Sequence, residues 1–244
     1  MTSSRRLAAL LVALVLLASC AARRPDAPEH DPWEGLNRKM FVFNDKLDVY
    51  ALEPAATGWS KVTPLRLRTS ISNFFSNLRF PIVTANDLLQ GKVLAAGNDI
   101  GRFAVNTTVG VLGFLDPASG WGLERRDEDF GQTLGVWGVP SGPYLVIPLL
   151  GPSTVRDAAG QAVDVAFAVT PFFVDTWILV AARMFDAVDE RSLYLQEVRD
   201  AKASAIDYYS FVRNAYLQRR DAQLKDSAVN VDNEEELYHP EIAP

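Results

Sequence analysis

The chain has 244 residues, 48% of them apolar and 22% charged, enough apolar material for one domain-sized core. Its formal net charge is −6, an acidic balance that argues against nucleic acid as a partner and against electrostatic attraction to anionic lipid headgroups. Any membrane contact of the whole molecule must therefore be apolar in origin.

The amino terminus reads as an address. Arg5 and Arg6 precede an unbroken apolar run from Leu7 to Leu17 and then small residues, the pattern of a secretory signal. At about 11 residues the run is short of the roughly 20 that a spanning helix needs. Removing Arg5 and Arg6 with the leader makes the mature chain two units more negative. Leu17-Ala18-Ser19-Cys20 resembles a bacterial lipobox, in which the cysteine is acylated and becomes the first mature residue. Cys20 is the single cysteine, so the mature protein is expected to have a multi-chain lipid anchor and no disulfide. The organisation that follows is a signal over 1–19, an acylated tether over 20–30, a folded domain over 31–225 and a disordered acidic tail over 226–244.

Folding is expected to begin at Asp31, as N-cap, with Pro32 at the first helical position and Glu34 completing a capping box. Trp33, Leu36, Met40, Phe43 and Leu47 recur at helical spacing, so this helix should reach about Leu52 and stop before Pro54. A second helix should start at Thr63-Pro64 and close at Pro81. Shorter ones are expected over 81–89 and over 92–109, the latter interrupted by Gly97 and Gly101. Gly113 and Pro117 make the next stretch irregular, and 127–136 follows as a helix.

The stretch from Phe130 to Pro152 is too rich in breakers to be one long helix: Pro140, Pro143, Pro148 and Pro152 alternate with Gly135, Gly138, Gly142 and Gly151. Trp137, Tyr144, Val146, Ile147, Leu149 and Leu150 are thus presented by a bent backbone and must be covered. Two covers fit: a buried Ω-like connection, or a loop lining an apolar or lipid-contacting surface. A helix from Ser153 or Thr154 to about Val169 comes next. Residues 162–185 are the most hydrophobic of the mature chain, but Asp164, Asp175 and Pro171 interrupt them. They read as two core helices joined at Pro171 or, alternatively, as a membrane-embedded hairpin. The last helices are expected over 189–205 and 207–225, with Tyr208, Phe211, Val212, Ala215 and Leu217 as the buried stripe of the second. Period-two alternation is almost absent, so the expected fold is all-α with irregular connections.

Candidate catalytic groups are sparse. His30 and His239 fall in the tether and tail, where no packed site positions a general base. Ser141 in VPSGP has no histidine to activate it and reads as a turn residue. Glu124, Asp127, Glu128 and Asp129, mixed with Arg125 and Arg126, read as a solvated helix start rather than a carboxylate pair. No spacing resembles a metal site or a phosphate-cradling loop, so neither a metal nor a cofactor is expected, and the chain is expected not to be an enzyme.

Several stretches together resemble one family. DPWEGLNRKMFVFND at Asp31, NFFSNLRFPIVTANDLLQG at Asn73, NTTVGVLGFLDPA at Asn106, EDFGQTLGVWGVPSGPYLVIPLLGPSTVRDAAG at Glu128 and FVRNAYLQRR at Phe211 look like the MlaA, or VacJ, family. The resemblance covers nearly all of 31–220 in order. It implies an all-helical, ring- or disc-shaped lipoprotein lying in the inner leaflet of the outer membrane, associated with trimeric porins. Such a protein removes misplaced phospholipid from the outer leaflet through an amphipathic central channel and passes it to a soluble periplasmic carrier, with no covalent chemistry. On this basis Phe43, Asn44, Trp137, Tyr144, Val146, Ile147 and Leu149 are candidates for the channel wall, and Gly135, Gly138 and Gly142 for hinges or turns. The alternatives are a structural lipoprotein that scaffolds porins without moving lipid, and a lipid hydrolase.

Overall fold

The computed structural model describes residues 31–168 and 174–225; the leader, Cys20, the tether with His30, Pro171 and the tail with His239 lie outside them. Helix α1 spans Glu34–Leu47 and passes without a break through one π-helical turn, Asp48–Leu52, into α2, Glu53–Val62. Pro54 therefore does not stop the helix; it sits in the first turn of α2. A proline lacks a donor and crowds the carbonyl four residues back, and a local widening to i→i+5 pairing accommodates both. Nor is Asp31 the N-cap. Trp33 takes that position with no side-chain cap bond, while the Asp31 carboxylate is fully buried and accepts from Asn37 Nδ2 at 2.8 Å, from Arg213 Nη1 at 3.1 Å and from the Tyr209 hydroxyl.

Helices α3, Leu65–Leu78, and α4, Phe80–Leu89, follow, with Pro81 in the first turn of α4. The next helix, α5, Val93–Thr108, is continuous through Gly97 and Gly101. Each glycine costs a helix about 1 kcal/mol, and packing of α5 along α4 outweighs that. After a loop over 109–116 comes the single turn α6, Pro117–Gly120, capped by Asp116, then an extended segment and α7, Phe130–Val136, capped by the Asp129 carboxylate accepting from Gln132 N at 2.9 Å.

The bent stretch beyond α7 resolves into a β-hairpin, the main departure from an all-α expectation. Strands β1, Tyr144–Ile147, and β2, Gly151–Thr154, pair antiparallel with Tyr144 opposite Thr154 and Ile147 opposite Gly151. Strands this short, one of them reading GPST, carry too little alternation to be recognised by period. Thr154 then caps α8, Val155–Phe167. Helix α9, Thr176–Leu193, runs through Asp189, which was expected to start a helix; Asp189 is instead fully buried and accepts from Trp59 Nε1 at 2.7 Å. The last described helices are α10, Leu195–Ser204, and α11, Tyr208–Leu224, capped by Asp207. The buried face of α11 carries Tyr209 and Arg220, with Tyr216 and Leu217 packed on the same core, while Phe211 and Ala215 of the expected stripe are exposed.

Burial is inverted relative to a water-soluble bundle. Among the described residues, twenty polar or charged side chains are buried against eight apolar ones. Large apolar groups instead stand outside, with Leu94 92% exposed, Trp177 80% and Leu149 78%. Helix α9 shows the consequence: Trp177, Ile178, Val180, Met184 and Phe185 are all exposed. The expectation of ordinary core helices in this region therefore does not describe its surface. Among the described residues no helix is long and apolar enough to cross a membrane.

Candidate functional site

The β-hairpin is held against α1 by two asparagines. Asn37 donates Nδ2 to the Tyr144 carbonyl at 3.0 Å and accepts from Val146 N at 3.0 Å. Asn44 donates Nδ2 to the Ile147 carbonyl at 2.9 Å and accepts from Leu149 N at 2.8 Å. One N–H and the carbonyl oxygen of a primary amide can serve as the donor and acceptor of a peptide group, so each asparagine substitutes for a residue of a third strand, and the second N–H of Asn37 goes to Asp31. The two bonds of Asn37 are buried; those of Asn44 lie toward the exposed tip, where Leu149 takes a left-handed φ of 68°.

The channel candidates are divided by this arrangement. Tyr144 and Val146 are buried and pack with Tyr209, Met40, Phe41, Tyr216 and Leu217, so their side chains belong to the protein core. Phe43, Trp137 and Leu149 are exposed, and Ile147 is half-buried. The Trp137 indole donates to the Leu89 carbonyl at 3.0 Å and meets the Phe130 ring edge-on. Gly138 and Gly142 have left-handed backbones. Gly135 is no turn: it lies within α7, where a Cβ would stand 2.5 Å from Leu224 and 2.9 Å from Arg156, so its role is close packing.

Behind the hairpin lies an ionic centre that the sequence pattern did not reveal. Arg220 Nη1 and Nη2 bind both oxygens of Asp129 at 2.6 and 3.0 Å, and its Nε and Nη2 bind Asp157 at 3.2 and 2.8 Å. Tyr216 donates to Asp157 at 2.7 Å and Arg156 at 2.9 Å. Burial pushes the Asp157 carboxyl up, but Arg220, Tyr216 and Arg156 more than reverse it and hold it at about 2. The one legible signal was FVRNAYLQRR itself, where Tyr216 and Arg220 lie about one turn apart on one face of α11.

The acidic cluster separates as well. Asp129 caps α7 as a helix start should, whereas Glu128 is buried, accepting from Gln90 at 2.9 Å and Lys92 at 3.2 Å. Burial raises its pKa above the usual carboxylate range. Ser141 contributes its backbone carbonyl to Arg156 N at 3.1 Å. Among the described residues no group of three or more His, Cys, Asp or Glu is placed to hold a metal ion.

The family model described as MlaA lipoprotein matches residues 29–223. The chain is 36% identical over 222 residues to the Escherichia coli (strain K12) intermembrane phospholipid transport system lipoprotein MlaA, covering 88% of this chain and 87% of that one. It is 33% identical over 236 residues to the Haemophilus influenzae protein of the same name, covering 93% of each. A solved structure presented as the "Structural basis for maintenance of bacterial outer membrane lipid asymmetry" superposes with a TM-score of 0.71 at 34% identity, over 80% of this chain and 98% of that one. With the resembling motifs and the helical fold both accounted for, the chain belongs to the MlaA lipoprotein family.

Proposed function

We propose that this protein is an outer-membrane lipoprotein of an intermembrane phospholipid transport system, which maintains lipid asymmetry by removing phospholipid from the outer leaflet. The names of its relatives and of the matching structure support this reading. The observation that carries it on the chain itself is the inverted burial: ionic networks inside, apolar side chains outside, and no spanning helix among the described residues. Such a body is satisfied when its rim meets acyl chains, while its polar interior offers what a headgroup requires. Exposed Val111, Leu112 and Leu149 add to this, because each has a left-handed backbone that a bulky residue adopts only at a cost. Presenting apolar side chains to water gives no return on that strain; contact with lipid does.

In this reading Cys20 anchors the chain on the periplasmic side, trimeric porins hold it laterally, and a soluble periplasmic carrier accepts the lipid. A phospholipid leaving a bilayer must keep its methylenes from water at about 0.8 kcal/mol each. An amphipathic channel meets that need, and Phe43, Asn44, Trp137, Ile147 and Leu149 are the side chains we assign to its wall or mouth. The test is transfer of labelled phospholipid from vesicles bearing the full-length acylated protein to a soluble acceptor, together with outer-leaflet phospholipid in cells lacking it. Transfer that depends on the protein, and accumulation without it, are expected. A protein that binds porin but neither carries nor releases phospholipid would replace this reading with the scaffolding one.

A further inference from the structure

A polar pocket lies between α3, α4, α5 and the extended segment after α6. Asn73 and Ser76 of α3, Arg125 and Arg126 of the segment, and the rings of Phe80 and Phe103, stacked at 4.1 Å, line it. The other commitments of its charged groups decide what it can hold. Arg102 and Asp116 also reach the pocket, but they bind each other at 2.8 and 3.0 Å, and Asn106 and Ser119 complete the carboxylate's partners. Asp99 is buried beside Asp87, whose carboxyl is pushed up to about 7 by burial and by that neighbour, so near neutrality the pair holds less than two full charges. Arg126 reaches Glu124 at 3.3 Å. Arg125 and the Asn73 amide have no hydrogen bond or ion pair among the described residues.

Donors without partners, two guanidinium groups in adjacent residues and an apolar back wall define an oxyanion carried on an apolar body. The surroundings point the same way. Trp121, 64% exposed, precedes the arginines, and the indole ring favours the headgroup level of a bilayer. Val109, Val111, Leu112 and Leu115 before it are exposed and suited to the acyl layer.

We propose that Arg125 and Arg126, with the Asn73 amide, bind the phosphate of a phospholipid headgroup, leaving Phe80 and Phe103 to the glycerol-ester end of its chains. This rests on the phospholipid-handling reading above and adds to it the residues that meet the phosphate. The acidic net charge is no obstacle, because the paired guanidinium groups act locally while distant charges are screened.

The test uses the full-length acylated protein and calorimetric titration with dihexanoyl phosphatidylglycerol below its micellar concentration. Dihexanoylglycerol and inorganic phosphate are the controls. The double variant R125Q/R126Q should bind phosphatidylglycerol at least tenfold more weakly, with unchanged affinity for dihexanoylglycerol and an unchanged melting temperature. Should that variant lose its melting transition, Asn73→Leu repeats the comparison with an expected loss of about threefold. Unchanged phosphatidylglycerol affinity, equal losses for both lipids, or inorganic phosphate binding as tightly as the lipid would each overturn the assignment, the last in favour of a free-phosphate site. A native protein that binds neither lipid overturns the lipid-handling reading with it; a native protein that binds both, with an indifferent variant, overturns the headgroup assignment alone.

Discussion

Asn37 and Asn44 lie two turns apart on α1 and commit their side-chain amides to the same hairpin, one at its buried root and the other at its exposed tip. Because both are on one rigid helix, the hairpin's register on α1 is set by their spacing. Asn44→Ala should free only the tip, at a cost of about 1 kcal/mol. Hydrogen exchange at Leu149 N should accelerate while the Val146 amide stays protected. Asn37→Ala removes buried bonds to Asp31, Tyr144 and Val146 and should cost about 3 kcal/mol in denaturant unfolding. Equal losses from the two would show that root and tip are not independent.

Arg220 carries two carboxylates, so its loss leaves the buried Asp157 and the half-buried Asp129 with no cation other than Arg156. Arg220→Met should destabilise by about 3–5 kcal/mol. The pH dependence has a definite sign. Asp157 is held down at about 2 in the folded state, below its ordinary value of 3.8. Its stabilising contribution is therefore complete above the ordinary value and is lost as pH falls from there toward 2. Native protein should lose stability across that window, and Arg220→Met should show a much flatter acid limb in melting temperature against pH.

Gly160 meets Gly131 backbone to backbone: a Cβ on Gly160 would stand 2.3 Å from Gly131 N and 2.6 Å from its Cα. Backbone cannot yield as a side chain can, so α7 and α8 would have to separate. Gly160→Ala should cost about 3 kcal/mol or more, and circular dichroism should record the lower melting temperature. Gly97→Ala is the control, since nothing lies within 4 Å of its Cβ position. It should stabilise by about 0.5–1 kcal/mol.

The exposed tip formed by Leu149 and Leu150 tests apolar contact with lipid. Leu149→Asp should leave thermal stability in detergent within about 0.5 kcal/mol of native, as an exposed substitution does. It should weaken phospholipid transfer from vesicles severalfold. Unaltered transfer would remove the tip from the lipid path. Leu149→Gly, which relieves the left-handed backbone, should raise stability slightly and weaken transfer in the same direction.

What the sequence determined by itself was local. Helical spacing, helix starts at Ser153 or Thr154, at 207 and within the acidic cluster, and the breakers around 137–152 depend on neighbours within a few residues, and the helices begin within a residue or two of those positions, capped by Thr154, Asp207 and Asp129. The resembling motifs are likewise contiguous strings. Only the tertiary structure decided that Asp31 and Asp189 are buried acceptors rather than helix starts, that Pro54 is carried through a π-helical turn, and that two asparagines complete a hairpin. It alone paired Arg220 with carboxylates 63 and 91 residues away. Each depends on which distant segment the chain brings alongside, and periodicity contains no such information. The inverted burial belongs to the same class: a leucine at helical spacing has the same pattern whether it faces a protein core or an acyl chain, and only the fold shows that so many here face outward.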